Sequence, residues 1–186
     1  MNYEQYQQLF DEILNSNQPV HPYDDPMYLK YTRLNQARMR RREKQLVLDD
    51  HLVKAVKDLK EPQHWIILTE PWCGDAAHTL PAMIALAGQS PMITYDIQLR
   101  DTEPFLIDSY LTGTSKSIPK LIARDQNGKD LFTWGPRPAQ AQQIVIEMKA
   151  TYADHESISE ALQQWYNQDK GVSFCREFLG WLAEAR

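Results

Sequence analysis

Cys73, one of only two cysteines in the 186-residue chain, stands in the stretch Glu70-Pro71-Trp72-Cys73-Gly74-Asp75-Ala76-Ala77-His78. An apolar run, residues 64 to 69, leads into it as a strand buried on both faces, and residues 75 to 87 leave it as a helix. A thiol at such a junction is favoured as thiolate by the free N–H groups and the dipole of the helix. Asp75 works against this, since a nearby carboxylate opposes a second negative charge. Each effect is worth roughly 1 kcal/mol at a partly exposed site. Two readings of Cys73 therefore stand: a partly exposed, reactive thiol that labels faster than Cys175, or a small buried hydrophobe.

The other chemistry-bearing residues divide in the same way. His78 lies more than one helical turn beyond Cys73 and reads as a surface or capping histidine rather than a general base. Cys175 shares a helical face with Val172, Phe178 or Leu179, and Leu182, which is a core face. Around the basic stretch 38 to 44, most cations spread about a helix axis as a solvated face. Tyr31, Asn35, Arg38 and Arg42, however, step by four, three and four, and would line one inward face as an anion pocket.

The elements that position these groups follow from periodicity. Helices are expected from Tyr3 to Leu14, from Met27 to Gln45 and from Asp49 to Lys60. Pro81 should kink the helix after Cys73 unless its first turns are displaced. Residues 92 to 99 alternate as a second strand, so strand, helix and strand form a parallel βαβ unit. Asn127-Gly128 joins residues 117 to 124 and 129 to 134 as an antiparallel hairpin. Helices are expected over 139 to 150, 158 to 166 and 172 to 182.

That order, with Trp72-Cys73-Gly74 at the helix start and Ile118-Pro119 before the hairpin, resembles the thioredoxin family. The resemblance implies a thioredoxin-like α/β fold with a mixed sheet, a βαβ unit plus a β-hairpin, and flanking helices. It covers residues 62 to 151 as the core; residues 1 to 61 are an N-terminal helical extension and 152 to 186 C-terminal helices. The extension is similar to that of a bacterial thioredoxin-like subgroup. By the same resemblance Ile118-Pro119 is the cis-proline loop, Trp72 and Pro119 shape a substrate groove, and the Ile118 backbone grips an extended peptide. Three positions depart from the family pattern. Asp75 replaces its proline, Ala76 its resolving cysteine, and Ile67 the buried carboxylate that serves that cysteine.

An intramolecular disulfide is thus excluded at this motif. The leading expectation is a site with Cys73 alone, forming mixed disulfides with a protein thiol or a low-molecular-weight thiol. Trp72, Gly74, Asp75, Ile118, Pro119, Tyr31, Arg38 and Arg42 would surround the substrate. An oxidoreductase of this kind, lacking a resolving cysteine, needs no cofactor, and glutathione is its candidate co-substrate. A second reading keeps the fold as a non-catalytic module that binds a peptide or small anion. A third is a glutaredoxin-like monothiol site binding glutathione, alone or with an iron–sulfur cluster.

Composition narrows the classes further. A net charge of −5 speaks against a general nucleic-acid binder. No run is apolar enough for a membrane span, no Cys/His spacing resembles a metal site, and the N-terminal residues lack a secretory pattern. The expected location is the cytoplasm, where both thiols stay reduced.

Overall fold

The computed structural model describes residues 1–184. Three helices precede the sheet: α1 (Tyr3–Asn15), α2 (Pro26–Gln45) and α3 (Asp50–Lys57). Each begins on a side-chain cap that satisfies an otherwise unpaired N–H. Asn2 and Gln5 form a reciprocal capping box on α1, Asp25 accepts from the Met27 N–H with Pro26 in the first turn of α2, and Asp49 accepts from the Leu52 N–H. The third helix stops at Lys57, short of the expected Lys60.

Strands β1 (Gln63–Thr69), β2 (Ile93–Leu99), β3 (Lys120–Asp125) and β4 (Asp130–Trp134) form one sheet in the order β2-β1-β3-β4. Strand β1 pairs parallel with β2 and antiparallel with β3, and β3 pairs antiparallel with β4. The fold is the thioredoxin-like α/β architecture expected, with a mixed sheet and helical additions at both ends. In the β3–β4 turn the Asp125 carboxylate accepts from the backbone N–H groups of Asn127 and Lys129, which holds the hairpin register.

Alternation along β1 separates two cores. Trp65 and Ile67 join Leu121, Ala123, Phe132 and Trp134 under α1, α3 and the C-terminal helix α7 (Val172–Glu184). Ile66 and Leu68 face the opposite side with Ile122, Ile107 and Ile118, and Cys73 belongs to this smaller cluster. Trp65 is fully buried, yet its indole N–H donates to the Gln63 side chain at 3.0 Å, so its burial leaves no polar atom unpaired.

Helix α4 (Gly74–Ala87) starts directly after Cys73, which is its N-cap residue, and runs on through Pro81 without a break. Pro81 has no N–H for the Ala77 carbonyl, but both residues are buried against neighbours. A short 3₁₀ turn (Leu106–Ser109) follows β2. Helix α5 (Ala139–Ala150) and helix α6 (His155–Asp169) lead to α7; α6 begins before the expected Ile158 because Asp154 caps it through the Ser157 N–H. The Ile118–Pro119 bond is cis, as the family resemblance implied. Gly135, at φ +118°, lies so close to this loop that an added Cβ would stand 2.1 Å from the Pro119 carbonyl oxygen. No helix among the described residues is long and apolar enough to cross a membrane.

Candidate functional site

The C-terminal ends of the parallel pair β1 and β2, the first turn of α4 and the Ile118 loop meet one face of α2, and α5 and α6 close the far side. Between them lies a cleft of about 790 Å³. Sites at the carboxyl ends of parallel strands recur in α/β folds, because the loops there are free to carry side chains. Of the residues picked from sequence, Tyr31, Arg38, Trp72, Cys73, Gly74, Asp75 and Ile118 all line this cleft. Pro119 is buried behind Ile118. Arg42 is not brought in: its guanidinium donates to the Lys170 carbonyl at 2.6 Å, at the junction of α6 and α7.

Cys73 is only 6% exposed, which corrects the expectation of a partly exposed thiol. Its Sγ–H donates to the Ile118 carbonyl at 3.3 Å. Burial pushes the thiol up to about 12, with the Asp75 charge adding to it; the N–H of Ala76 and the charge of Arg137 pull the other way without winning. The desolvation that the sequence could not display outweighs the helix terminus, so at neutral pH the group is a thiol.

Asp75 is 8% exposed and fully engaged. One oxygen accepts from Arg137 Nη2 at 2.7 Å and Nε at 3.0 Å, and the other from the Tyr166 hydroxyl at 2.7 Å. Arg137 also donates to Gln142 at 2.9 Å. The first turn of α4 is thereby tied to α5 and α6 through one buried, hydrogen-bonded ion pair. His78 stacks on Tyr166, with ring centroids 4.2 Å apart, and pairs through Nε2 with Gln163 Oε1 at 3.1 Å. It is half-buried rather than a surface group, and burial, reinforced by the charges of Arg38, Arg42 and Arg41, holds its pKa down to about 4.

Trp72 stands at the rim, edge-on to Tyr28 and under the Arg100 guanidinium, whose carbon is 4.7 Å from the ring centroid. The Trp72 indole nitrogen is buried and has no hydrogen-bond partner among the described residues. Arg38 donates to the Asn35 side-chain oxygen at 3.0 Å, while the Asn35 amide donates to the Pro71 carbonyl at 3.1 Å. This fully buried Asn35 thus holds a guanidinium beside the first residue of α4, where a Cβ added to Gly74 would lie 3.8 Å from Arg38 Nη1. Arg38 has no ion-pair partner among the described residues. Tyr31 pairs with His155 across the cleft at 3.3 Å. Arg100, Lys116 and Lys149 add charge to the same lining, with Asp75 its one carboxylate.

Among the cleft residues that escaped sequence reasoning are Arg100, Arg137 and Tyr166, and Glu70, three residues before Cys73, escaped it too. Arg100 follows β2 directly, and the carboxyl end of a parallel strand was a usable signal. Arg137 sits between two prolines, a rigid setting that could have marked it. Glu70 is 5% exposed; it accepts from the Asp101 N–H at 3.1 Å and Tyr23 OH at 3.5 Å, and burial raises its pKa to about 7. Cys175 packs at the edge of the larger core, as its helical face suggested, and both cysteines are free thiols. No group of His, Cys, Asp and Glu among the described residues could hold a metal ion.

Among solved structures, the chain is similar to a protein of unknown function from Pseudomonas aeruginosa, at 18% identity and a TM-score of 0.52, over 75% of this chain and 86% of that one. It is also similar to an HIV epitope-scaffold, at 16% identity and a TM-score of 0.59, over 97% and 99% of the two chains. These likenesses concern the fold alone. No curated protein matches the chain. The family model described as Thioredoxin matches residues 22–150, well over half of the sequence and including the cleft's α2, Cys73 and Ile118, and the chain belongs to that family.

Proposed function

We propose that this chain is a thioredoxin-fold binding protein whose cleft takes a small acidic ligand or an acidic peptide, with Cys73 resting as a thiol in its wall. The observation that carries this reading is Arg38. A half-buried guanidinium without a carboxylate partner, positioned by Asn35 beside the N-terminus of α4, favours an anion from two sources at once. Trp72, under the Arg100 guanidinium, forms part of the same lining. Tyr31, Gly74, Ile118 and Pro119 shape the remaining surface, and Asp75 acts through its lock on Arg137 rather than on the ligand.

Glutathione, with two carboxylates, is the test ligand, and its S-methyl derivative removes the thiol from consideration. Calorimetric titration should give saturable binding of both. The substitution Arg38→Gln should weaken it about tenfold or more, the value of a charge-assisted hydrogen bond, with circular dichroism unchanged. Equal affinity in wild type and variant, or no binding at all, overturns the reading.

The second reading, thiol–disulfide exchange, is favoured by one observation: Cys73 is the N-cap of α4 and lines the cleft. Its thiolate would attack a disulfide of a protein or low-molecular-weight thiol, forming a mixed disulfide and releasing the other sulfur as thiolate. Without a resolving cysteine, an external thiol such as glutathione must complete the cycle. The rate of iodoacetamide labelling at Cys73 relative to Cys175 tests it, and faster labelling at Cys73 would restore it. Two free thiols suit a cytoplasmic location, which cell fractionation checks.

A further inference from the structure

Behind the cleft, the C-terminal half of α2 and the end of α6 line a second, half-open hollow of about 150 Å³. A single buried water needs about 10–15 Å³ on the same measure, so there is room for a polyatomic guest. Its lining includes Arg38, Arg41, Arg42 and Lys170, and no carboxylate. Arg38, Arg41 and Arg42 are spaced by three and one on a single helix, where like charges repel. In a chain with a net charge of −5, four cations around one small hollow are not a consequence of general composition.

The side chains are held rather than splayed. Arg42 is fixed by its bond to the Lys170 carbonyl, a close approach allowed by Gly171 at φ +88°, where a Cβ would stand 2.0 Å from Arg42 Nη2. Its Nε–H is buried and has no partner among the described residues. Arg41 reaches the Asn167 side-chain oxygen at 3.4 Å, and Gln163 donates to the same oxygen at 2.9 Å while accepting from His78. The protein thus sets three guanidinium groups and an ammonium around one hollow, with Arg41 and Arg42 tied to α6 and its end, which is the arrangement that captures an oxyanion.

We infer that this cavity is a second anion site, distinct from the Cys73 cleft, that binds a compact tetrahedral oxyanion of the phosphate class. The oxyanion is either the free ion or the terminal group of a phosphate ester. Arg38, His78 and Tyr166 line both spaces and form the wall between them. Arg41 lines only the second, so it separates this site from the cleft reading.

The test titrates the intact protein with inorganic phosphate, with phenyl phosphate and with acetate, at constant ionic strength, following thermal stability and calorimetric heat. Phosphate or phenyl phosphate should raise the melting temperature saturably, as any ligand of the folded state does, while acetate should not. A stronger response to phenyl phosphate identifies an ester as the source, and a stronger response to phosphate identifies the free ion. The Arg41→Gln variant should weaken phosphate binding about tenfold and leave glutathione binding in the cleft unchanged. The Arg33→Gln variant, exposed on the same helix, should bind as wild type. No stabilisation beyond acetate, or equal losses in the Arg41 and Arg33 variants, overturns the site.

Discussion

Two carboxylates flank Cys73, Glu70 before it and Asp75 after it, and both are nearly inaccessible to solvent. Their surroundings differ. Asp75 receives two bonds from one guanidinium and one from a phenol. Glu70 receives a backbone N–H and a tyrosine hydroxyl, with no cation within ion-pair distance among the described residues, and its pKa climbs to about 7. Equal burial therefore has opposite meanings. Beside Asp75 the charge is compensated and joins three helices; beside Glu70 it is barely tolerated at neutral pH.

Removing the guanidinium should have the largest effect. Arg137→Met leaves Asp75 buried and unpaired, and should cost about 3–5 kcal/mol in urea unfolding, whereas adding Asp75→Asn to it should recover much of the loss. A cost below about 1 kcal/mol for Arg137→Met would erase the contrast between the two carboxylates.

A smaller effect is expected at Glu70, and its sign follows from proton linkage. The folded-state pKa is raised from 4.5 to about 7, so the unfolded chain gives up this proton first as pH rises. Glu70 therefore costs the fold stability across that window, and the cost is complete above it. Glu70→Gln keeps the acceptor for the Asp101 N–H and removes the charge. Relative to wild type it should gain up to about 3 kcal/mol between pH 4.5 and 8, and little at lower pH. His78, whose depressed pKa makes stability fall as pH drops from 6.5 to about 4, is common to both proteins and cancels in the difference. Equal differences at pH 4.5 and 8 would show that Glu70 is not the penalised charge.

The smallest change should be seen at the sulfur between them. Iodoacetamide should label Cys175 before Cys73 in the native protein, and Asp75→Asn should speed Cys73 only slightly, since burial raises that thiol more than the neighbouring charge does. A large acceleration in the variant would make charge rather than desolvation the dominant cause.

What the sequence made legible was local. The βαβ unit around Cys73, the Asn127-Gly128 hairpin and the start of α4 after Cys73 depend on residues close together in the chain, whose periodicity and turn chemistry act directly. The cleft could be drawn as far as one helical face reaches: Tyr31 and Arg38 are where their spacing put them, but Arg42 turns away because Gly171 opens space at the far end of α2. The burial of Cys73 and the partners of Asp75 were hidden for another reason. Arg137 and Tyr166 meet Asp75 from positions 62 and 91 residues away. Periodicity carries no signal for which distant side chain will complete a buried charge.

The approach of Gly135 to the Pro119 carbonyl has a consequence for how this protein can vary. A Cβ there would collide with main-chain atoms, which cannot rotate aside as a side chain does, and φ +118° is itself closed to other residues. The Ile118 carbonyl that receives the Cys73 thiol lies in the same loop. Drift at position 135 would therefore press on the Ile118 loop and on the start of β3 together. In a library of random substitutions, this glycine in the β4–α5 connection should be as intolerant as any residue of the cleft, although it touches no ligand.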